Sequence, residues 1–399
     1  MGEKTIVRLE EYVNKLEGDA KEACRKIFFI STDEAKLSIP DDFRAKAYKY
    51  FKQGNETVEE TLARIKRQTI VRTFDRYYRQ GAVFNGLRCY KPGNSQEGKE
   101  DNKKPIDKAD RCVERDLVGG WDFQQPEKYT SADEDGERTR KNKSKSAINA
   151  ASYDAHNGIV IPSQGNPYKL TKDEFFDSLD VAAEWLQKVY KKHPEAVFPI
   201  IGWNALPKAG ASQVPNHMHV LTTKGMAYDD IDNLREAARR YKQDCEGKRD
   251  YFDDLFLIHE ALELGCQREK CRVIGSITPK KDKEVWILGK SLDELKQPTY
   301  DILRCLIENE GVLSFNLAIQ MPPLDDLPDW RGFPYIARIV DRGNPIKDLD
   351  LKVYKDLEKD SWILTILNPG TDIGFMEFYA AAVIGSDQHR VIRTLKRAC

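Results

Sequence analysis

The stretch YDAHNGIVIPSQGNPYKLTKDEFFDSLDVAAEWLQKVYKKHPEAVFPIIGWNALPKAGAS spans residues 153–212, and QVPNHMHVLTTK (213–224) follows it directly. GIVIPSQ predicts a strand, because β-branched residues are concentrated there. An amphipathic helix is predicted next, since apolar residues recur at three- and four-residue spacing after the capping box from Thr171 to Glu174. VFPIIGWNA predicts a buried strand, and HMHVLTT predicts another. The order strand, helix, strand, strand therefore decides the fold class.

The carboxyl third repeats this order. RVIGSIT and EVWILGKS predict strands, SLDELKQPTYDILRCLIENEG predicts a capped helix, and SFNLAIQ, YIARIVD and IGFMEFYAAAV predict further strands. Two successive units of this kind indicate a duplicated α+β architecture with largely antiparallel sheets flanked by helices. We place the first unit at residues 81–250 and the second at 251–399.

Residues 1–80 are predicted as a helical extension, because both EEYVNKLEGDAKEACRKIFF and TVEETLARIKRQTIVRTFDRYY carry helically spaced apolar residues. A strand, GAVFNGLRCY, is predicted to follow. The ranges 92–111 and 126–146 are polar and highly charged, so we expect long mobile loops there. The alternative is a lid over a site.

Composition narrows the choice of partners and compartment. The chain has 64 basic and 65 acidic residues, so its net charge of -1 predicts neither nucleic-acid binding nor attraction to a membrane surface. No apolar run approaches the roughly 18 residues of a membrane span, and the charged amino terminus does not resemble a signal peptide. The eight cysteines lie far apart in sequence, and the closest pair, Cys266 and Cys271, is interpreted as two ordinary thiols. These features predict a cytoplasmic protein.

The chain has only six histidines, yet His217 and His219 are two residues apart. On a strand, that spacing places both imidazoles on one face. Such a pair is either part of a polar surface or a site. The other four histidines are not predicted to be catalytic. We expect His156 in a turn, with contact to substrate as the alternative, His259 partly buried on a helix, and His193 and His389 on the surface.

Three features in order carry a resemblance to a known family. They are an asparagine at a strand end (Asn204), a turn of small residues from Ala209 to Ser212, and the H-x-H strand. Together with the preceding helix, they resemble the galactose-1-phosphate uridylyltransferase branch of the histidine triad superfamily, which includes the diadenosine tetraphosphate phosphorylases. The resemblance implies two histidine-triad-like halves, a homodimer and no cofactor.

The resemblance also implies a chemistry. A neutral imidazole would attack the α-phosphorus of a nucleotide sugar or dinucleoside polyphosphate, and a phosphorylated acceptor would then take the nucleotidyl group from the histidine. By position in the motif, His219 resembles the nucleophile and His217 the residue that supports it. The implied substrate-binding residues, which would hold phosphate without a lysine, are Asn204, Gly210, Ala211, Ser212 and Gln213.

The sequence departs from the family pattern in three places. Ser212 precedes the first histidine by five residues instead of three, which lengthens the turn around Val214, Pro215 and Asn216. Leu221 stands where the branch has a glutamine that donates to phosphate. The family's structural zinc needs a C-x-x-C pair and a loop histidine, but the chain has no such pair and has Gly165 near the loop position, so we predict no such metal.

These departures leave a second function open. In that alternative, the chain is a divergent member that binds a nucleotide-like or other ligand, or catalyses another reaction, without nucleotidyl transfer. Several basic residues are candidates for holding a terminal phosphate, and the sequence alone does not rank them: Arg72, Arg76, Arg79, Lys280, Lys281 and Lys283.

Overall fold

The computed structural model describes residues 5–87, 103–118, 133, 136–149, 152–211, 213–345 and 387–398. Ten α-helices lie in this part of the chain: α1 Leu9–Asn14, α2 Gly18–Ile27, α3 Asp41–Phe51, α4 Val58–Lys66, α5 Lys103–Val118, α6 Lys172–Lys192, α7 Asp229–Asp244, α8 Tyr251–Ala261, α9 Leu292–Glu308 and α10 Gln388–Ala398.

The strands of the described residues form two sheets. Three amino-terminal strands pair in sequence order: β1 Phe28–Lys36, β2 Arg67–Asp75 and β3 Gly81–Asn85. The other nine form one sheet: β4 Ser144–Ile148, β5 His156–Pro162, β6 Phe198–Ala205, β7 Met218–Thr223, β8 Gly265–Arg268, β9 Cys271–Gly275, β10 Asp282–Gly289, β11 Phe315–Gln320 and β12 Tyr335–Asp341.

The large sheet has the order β4-β5-β7-β6-β11-β12-β10-β9-β8, and every pairing in it is antiparallel. Helix α6 connects β5 to β6, and α9 connects β10 to β11 in the same way. Counted outward from the central pair, one side of the sheet runs β6-β7-β5-β4 and the other runs β11-β12-β10-β9, so corresponding strands follow in the same order. Within the central pair, Ile201 of β6 faces Ile319 of β11. The predicted duplicated α+β fold with antiparallel sheets is confirmed.

The two faces of the large sheet have different coverings. Successive side chains of a strand alternate between faces. On one face, Val160, Trp203 and Ile339 share a core with Leu179 of α6 and Leu306 of α9. The opposite face, which carries the histidine pair, packs in part against α7, α8 and the amino-terminal sheet.

Local signals fix the ends of several elements. In α6, the Thr171 side chain accepts from the Glu174 backbone and the Glu174 side chain accepts from the Thr171 backbone, which is the predicted capping box. Where α6 crosses β5, a Cβ on Gly158 would lie 2.6 Å from a Trp185 ring carbon. A glycine is needed there because the strand and the indole are in direct contact.

The amino-terminal segment contains strands as well as helices. The predicted helix through TVEETLARIKRQTIVRTF ends at Lys66, and the chain continues as β2. β-branched residues explain the change, since Ile70, Val71 and Thr73 favour a pleated strand over a helix. The boundary at residue 80 stays a prediction.

The two predicted polar loops also contain regular structure. Residues 103–111 belong to α5, in which Ala109 and Val113 are buried against the main core. Residues 144–146 belong to β4, whose buried serines satisfy their hydroxyls by hydrogen bonds, for example Ser144 to Ser178 at 2.9 Å. A loop prediction based on polarity was therefore wrong at these positions. Three ranges for which predictions were made lie outside the described residues: 92–102 and 126–132 of the polar loops, and 373–383, a predicted strand.

Helices long and apolar enough to cross a membrane are absent from the described parts of the chain.

Candidate active site

His219 lies in β7 with its side chain on the sheet face opposite α6. It pairs with Ile159 of β5 and with Gly202 of β6. Only 6% of the residue is exposed. Burial lowers the pKa of His219 to about 3, and repulsion from His217 contributes less. The ring is consequently neutral at physiological pH, which is the form that can act as a nucleophile.

The two nitrogens of the His219 ring differ in their surroundings. Nδ1 is fully buried and has no hydrogen-bond partner among the described residues. Nε2 makes no hydrogen bond with a described residue and, unlike Nδ1, is not fully buried. It is therefore the nitrogen that a ligand can reach. Tyr153, which is 56% exposed, places its ring 5.0 Å from the His219 ring, measured between centroids. Sequence reasoning did not predict this contact.

His217 is half-buried and immediately precedes β7, with its ring centroid 5.1 Å from that of His219. The two rings therefore lie together, as the H-x-H spacing predicted. The His217 Nδ1 donates to the Pro215 carbonyl at 2.8 Å, which leaves the lone pair of a neutral ring on Nε2. Burial lowers the pKa of His217, and the Pro215 carbonyl opposes part of that effect.

Asn204 is buried on β6, on the same face as His219, and contacts a second asparagine that sequence reasoning missed. Asn316 of β11 pairs with Asn204 in register, and its Nδ2 donates to the Asn204 Oδ1 at 2.6 Å and to the Ala209 carbonyl at 2.9 Å. The Asn204 Nδ2 makes no hydrogen bond with a described residue. It is therefore a donor available to a ligand.

The small-residue turn after β6 is tightly hydrogen-bonded within itself. Leu206 has a φ of 73°, a strained value for a non-glycine residue, and Gly210 adopts the left-handed conformation with a φ of 98°. The backbone N–H groups of Ala209 and Ala211 donate to the Leu206 carbonyl, and that of Gly210 donates to Pro207. These three amides are used inside the turn; the binding of substrate by Gly210 and Ala211 stays a prediction.

The lengthened segment before the histidines is anchored to the loop after β5. Ser212 lies outside the described residues, and Gln213 is exposed. Asn216 is buried, and its backbone N–H donates to the Gly165 carbonyl at 2.9 Å while its Nδ2 donates to the Gln164 carbonyl at 3.0 Å. The extra residues thus form a fixed connection that holds the start of the histidine strand.

The donor set around the histidine pair does not fit the structural zinc of the family. His217, the histidine that would bind the metal, uses Nδ1 for the Pro215 carbonyl, and the facing loop presents the backbone of Gly165. Within the described residues, no three His, Cys, Asp or Glu side chains are grouped as metal ligands. The absence of zinc stays a prediction.

The remaining histidines lie away from the pair. His156 belongs to β5 and its ring centroid is 4.4 Å from that of His193, beside a hollow lined in part by Trp185 and Lys188 of α6. Because Trp185 belongs to the core beneath α6, this hollow opens on the other side of the sheet. His259 is fully buried in α8. His389 is also buried, so its assignment to the surface was wrong: Tyr12 and the Leu262 carbonyl cover its ring.

Comparison with known proteins gives weak similarities in structure and none in sequence. No protein-family model and no curated protein matches this sequence. An ADP-glucose phosphorylase from Arabidopsis thaliana, solved with bound ADP-glucose, is similar to the chain with a TM-score of 0.49 and 11% identity, covering 80% of this chain and 96% of that one.

Two further solved structures match. A uridylyltransferase gives a TM-score of 0.48 and 12% identity over 68% of this chain and 88% of its own. The yeast Ap4A phosphorylase in complex with AMP gives a TM-score of 0.30 and 11% identity over 81% of this chain and 80% of its own.

Proposed function

We propose that the chain is a nucleotidyltransferase or phosphorylase that forms a nucleotidyl adduct on His219 Nε2. The donor would be a nucleotide sugar or dinucleoside polyphosphate, and the acceptor would carry a phosphate. The observation that carries the proposal is a buried, neutral imidazole beside the available amide of Asn204. Next to His219 in the sheet, Gly202 and Ala318 bear minimal side chains, which favours close approach of a ligand.

The reaction balances without a metal or a net proton. The Nε2 lone pair attacks the α-phosphorus, and the bond from that phosphorus to the oxygen of the leaving phosphate breaks, with its electron pair going to the leaving group. A phosphate oxygen of the acceptor then attacks the same phosphorus, and the P–N bond returns its electron pair to the ring. The Asn204 Nδ2 would donate to a non-bridging oxygen as charge develops there.

One observation favours the second candidate, a protein that binds a nucleotide-like ligand without transferring it. A nucleophilic imidazole is usually oriented by an acceptor for its other nitrogen, yet within the part of the chain that the structure describes the His219 Nδ1 has none. Leu221, two residues further along β7, is buried in the apolar core and offers no donor to phosphate.

The test is to incubate the protein with a panel of α-labelled nucleotide donors and no acceptor. We expect label on the protein as a phosphoramidate, stable to base and labile to acid. His219→Asn should abolish the label, whereas His217→Asn should slow labelling by a factor of about 100. His193→Asn, on a histidine outside the pair, is the matched control and should label as the parent does.

Calorimetry against the same panel separates the two candidates. Label that is lost in His219→Asn supports transfer. Binding of a nucleotide without any label would leave the binding function. Equal turnover by His219→Asn and the parent would exclude His219 as the nucleophile. The homodimer, which would let each subunit complete its neighbour's site, remains part of the proposal.

A further inference from the structure

The side-chain amide of Asn316 has its polarity fixed from two sides. Asn316 lies on β11 and is only 1% exposed. The Arg342 Nη1 donates to the Asn316 Oδ1 at 2.5 Å, and the Asn316 Nδ2 donates to the Ala209 carbonyl at 2.9 Å. A guanidinium has only donors and a carbonyl has only acceptors. The oxygen of Asn316 must therefore face Arg342, and its nitrogen must face Ala209.

This polarity is passed on to Asn204. The other hydrogen of the Asn316 Nδ2 is donated to the Asn204 Oδ1 at 2.6 Å, so both hydrogens of this nitrogen are used. If the Asn204 amide were turned over, its Nδ2 would face the Nδ2 of Asn316, and two buried donors would oppose each other. Asn204 consequently keeps its oxygen toward β11 and its nitrogen toward the space that a ligand would enter.

The Asn204 amide is close to the histidine strand. Gly202 pairs with His219 across the ladder of β6 and β7, and Asn204 lies two residues further along β6 on the same face. Diagonal neighbours of this kind lie about 7–8 Å apart. A phosphoryl group bonded to the His219 Nε2 fits between the two side chains and can accept a hydrogen bond from the Asn204 Nδ2.

Arg342 acts on this donor without approaching the ligand. Its backbone N–H donates to the Ser314 carbonyl at 2.8 Å, which extends the ladder of β11 and β12 and fixes the position of the residue. In a chain of hydrogen bonds, each bond polarises the next. The positive charge of Arg342 therefore makes the Asn204 amide a stronger donor through the intervening Asn316.

We propose that Asn316 is a positioning residue: it forces Asn204 to present its nitrogen, and not its oxygen, to the phosphate at His219. This inference rests on the proposed function. Asn316 itself has no hydrogen left for a ligand, so it acts only through Asn204. The second half of the chain thereby sets the polarity of a site whose nucleophile belongs to the first half.

The first experiment inverts the polarity and measures the rate of labelling by the α-labelled donor. In Asn316→Asp, the carboxylate only accepts, so Asn204 should turn its nitrogen inward and its oxygen toward the phosphate. We expect labelling at least about 100-fold slower, as for Asn204→Ala, because the donor to the phosphate is lost. Asn316→Ala, which frees Asn204 without inverting it, should cause a smaller loss.

The matched control makes the same chemical change at a buried asparagine of the amino-terminal sheet. Asn85 donates to Gln68 at 2.9 Å and lies on β3. Asn85→Asp should label at the rate of the parent. Labelling of Asn316→Asp at the rate of the parent would overturn the inference and leave the transfer chemistry in place.

The second experiment separates positioning from a general loss of stability. The double variant Asn204→Ala/Asn316→Asp should label no more slowly than Asn204→Ala alone, because Asn316 has nothing to act on once the Asn204 amide is gone. If the two losses multiplied instead, Asn316 would support the fold without orienting Asn204, and the inference would be wrong.

The third experiment does not depend on transfer. Inorganic pyrophosphate is titrated into the intact protein by calorimetry, and Asn316→Asp should weaken its binding at least about tenfold, but not in the Asn204→Ala background. This pattern without any label would reject the transfer chemistry and support the role of Asn316. A parent that neither takes label nor binds pyrophosphate would overturn both proposals.

Discussion

At the scale of single residues, burial of His219 makes the stability of the protein depend on pH. The folded pKa is about 3 and the ordinary value is about 6.5. Between these values the unfolded chain binds a proton and the folded chain does not, so the free energy of unfolding falls as pH drops below about 6.5. When pH is lowered from about 7 to about 5, the free energy of unfolding should fall by about 2 kcal/mol more for the parent than for His219→Gln. Urea unfolding at the two pH values measures this.

Other histidines do not interfere with that measurement, because they are common to both proteins. His259, whose pKa burial lowers to about 4, contributes equally to the parent and the variant and cancels in the difference. An identical pH dependence for His219→Gln and the parent would mean that the His219 ring is not held neutral by burial.

The residues of the candidate site that sequence reasoning could predict are those close together in the chain. His217, His219 and Asn204 lie within 16 residues and belong to one motif. Asn316 lies 112 residues after Asn204 and meets it only because β6 and β11 pair. An isolated asparagine on a strand does not indicate which residue it will contact. The contact between Asn204 and Asn316 is therefore known only from the structure.

At the scale of elements, a buried charge network joins β10, β12 and α7. Arg338 donates to Glu284 at 2.5 Å and to Asp230 at 2.7 Å, and the Arg338 and Glu284 side chains are completely buried. Arg338→Met should lower the free energy of unfolding by about 3–5 kcal/mol, because it leaves carboxylates buried without their partner. Urea unfolding at neutral pH measures this.

The matched control is an exposed ion pair in the same half of the chain. Arg331 contacts Asp326 at 2.8 Å, with both side chains largely exposed. Arg331→Met should change the free energy of unfolding far less than Arg338→Met does, since water screens such pairs. Similar losses for the two variants would show that burial does not set the strength of the Arg338 network.

Elements were predictable where apolar spacing and capping agreed, as in α6. Prediction failed where a polar segment was buried by hydrogen bonds instead of by apolar contact. β4 is the clearest case, because Ser146 donates to Asp133 at 2.6 Å and lies in a strand that composition alone assigned to a loop. Single-sequence patterns measure hydrophobicity, and they do not reveal which polar groups will find partners.

At the scale of the whole molecule, the two halves place different residues at corresponding points of the sheet. His219 pairs with Gly202, Gly202 with Ala318, and Ala318 with Arg338, so His219 and Arg338 lie symmetrically about the pair of β6 and β11. In the second half this position is occupied by an arginine whose donors already contact carboxylates. The duplication therefore provides one candidate nucleophile per chain, and the second half supplies Asn316.

The same pairing predicts that both halves unfold together. β6 and β11 share a ladder at the centre of the sheet, and a single core under α6 and α9 includes Trp203 from the first half and Ile339 from the second. Because neither half can open without exposing that core, we expect the backbone amides of 198–205 and 315–320 to exchange with solvent at one common opening free energy. Hydrogen exchange followed by mass spectrometry in increasing urea measures it. If β10 and β12 lost protection at a urea concentration where β5 and β7 kept theirs, the halves would be separate folding units. In that case Asn316 could leave the histidine site while the first half stayed folded, and Asn204 would lose the partner that holds its Oδ1.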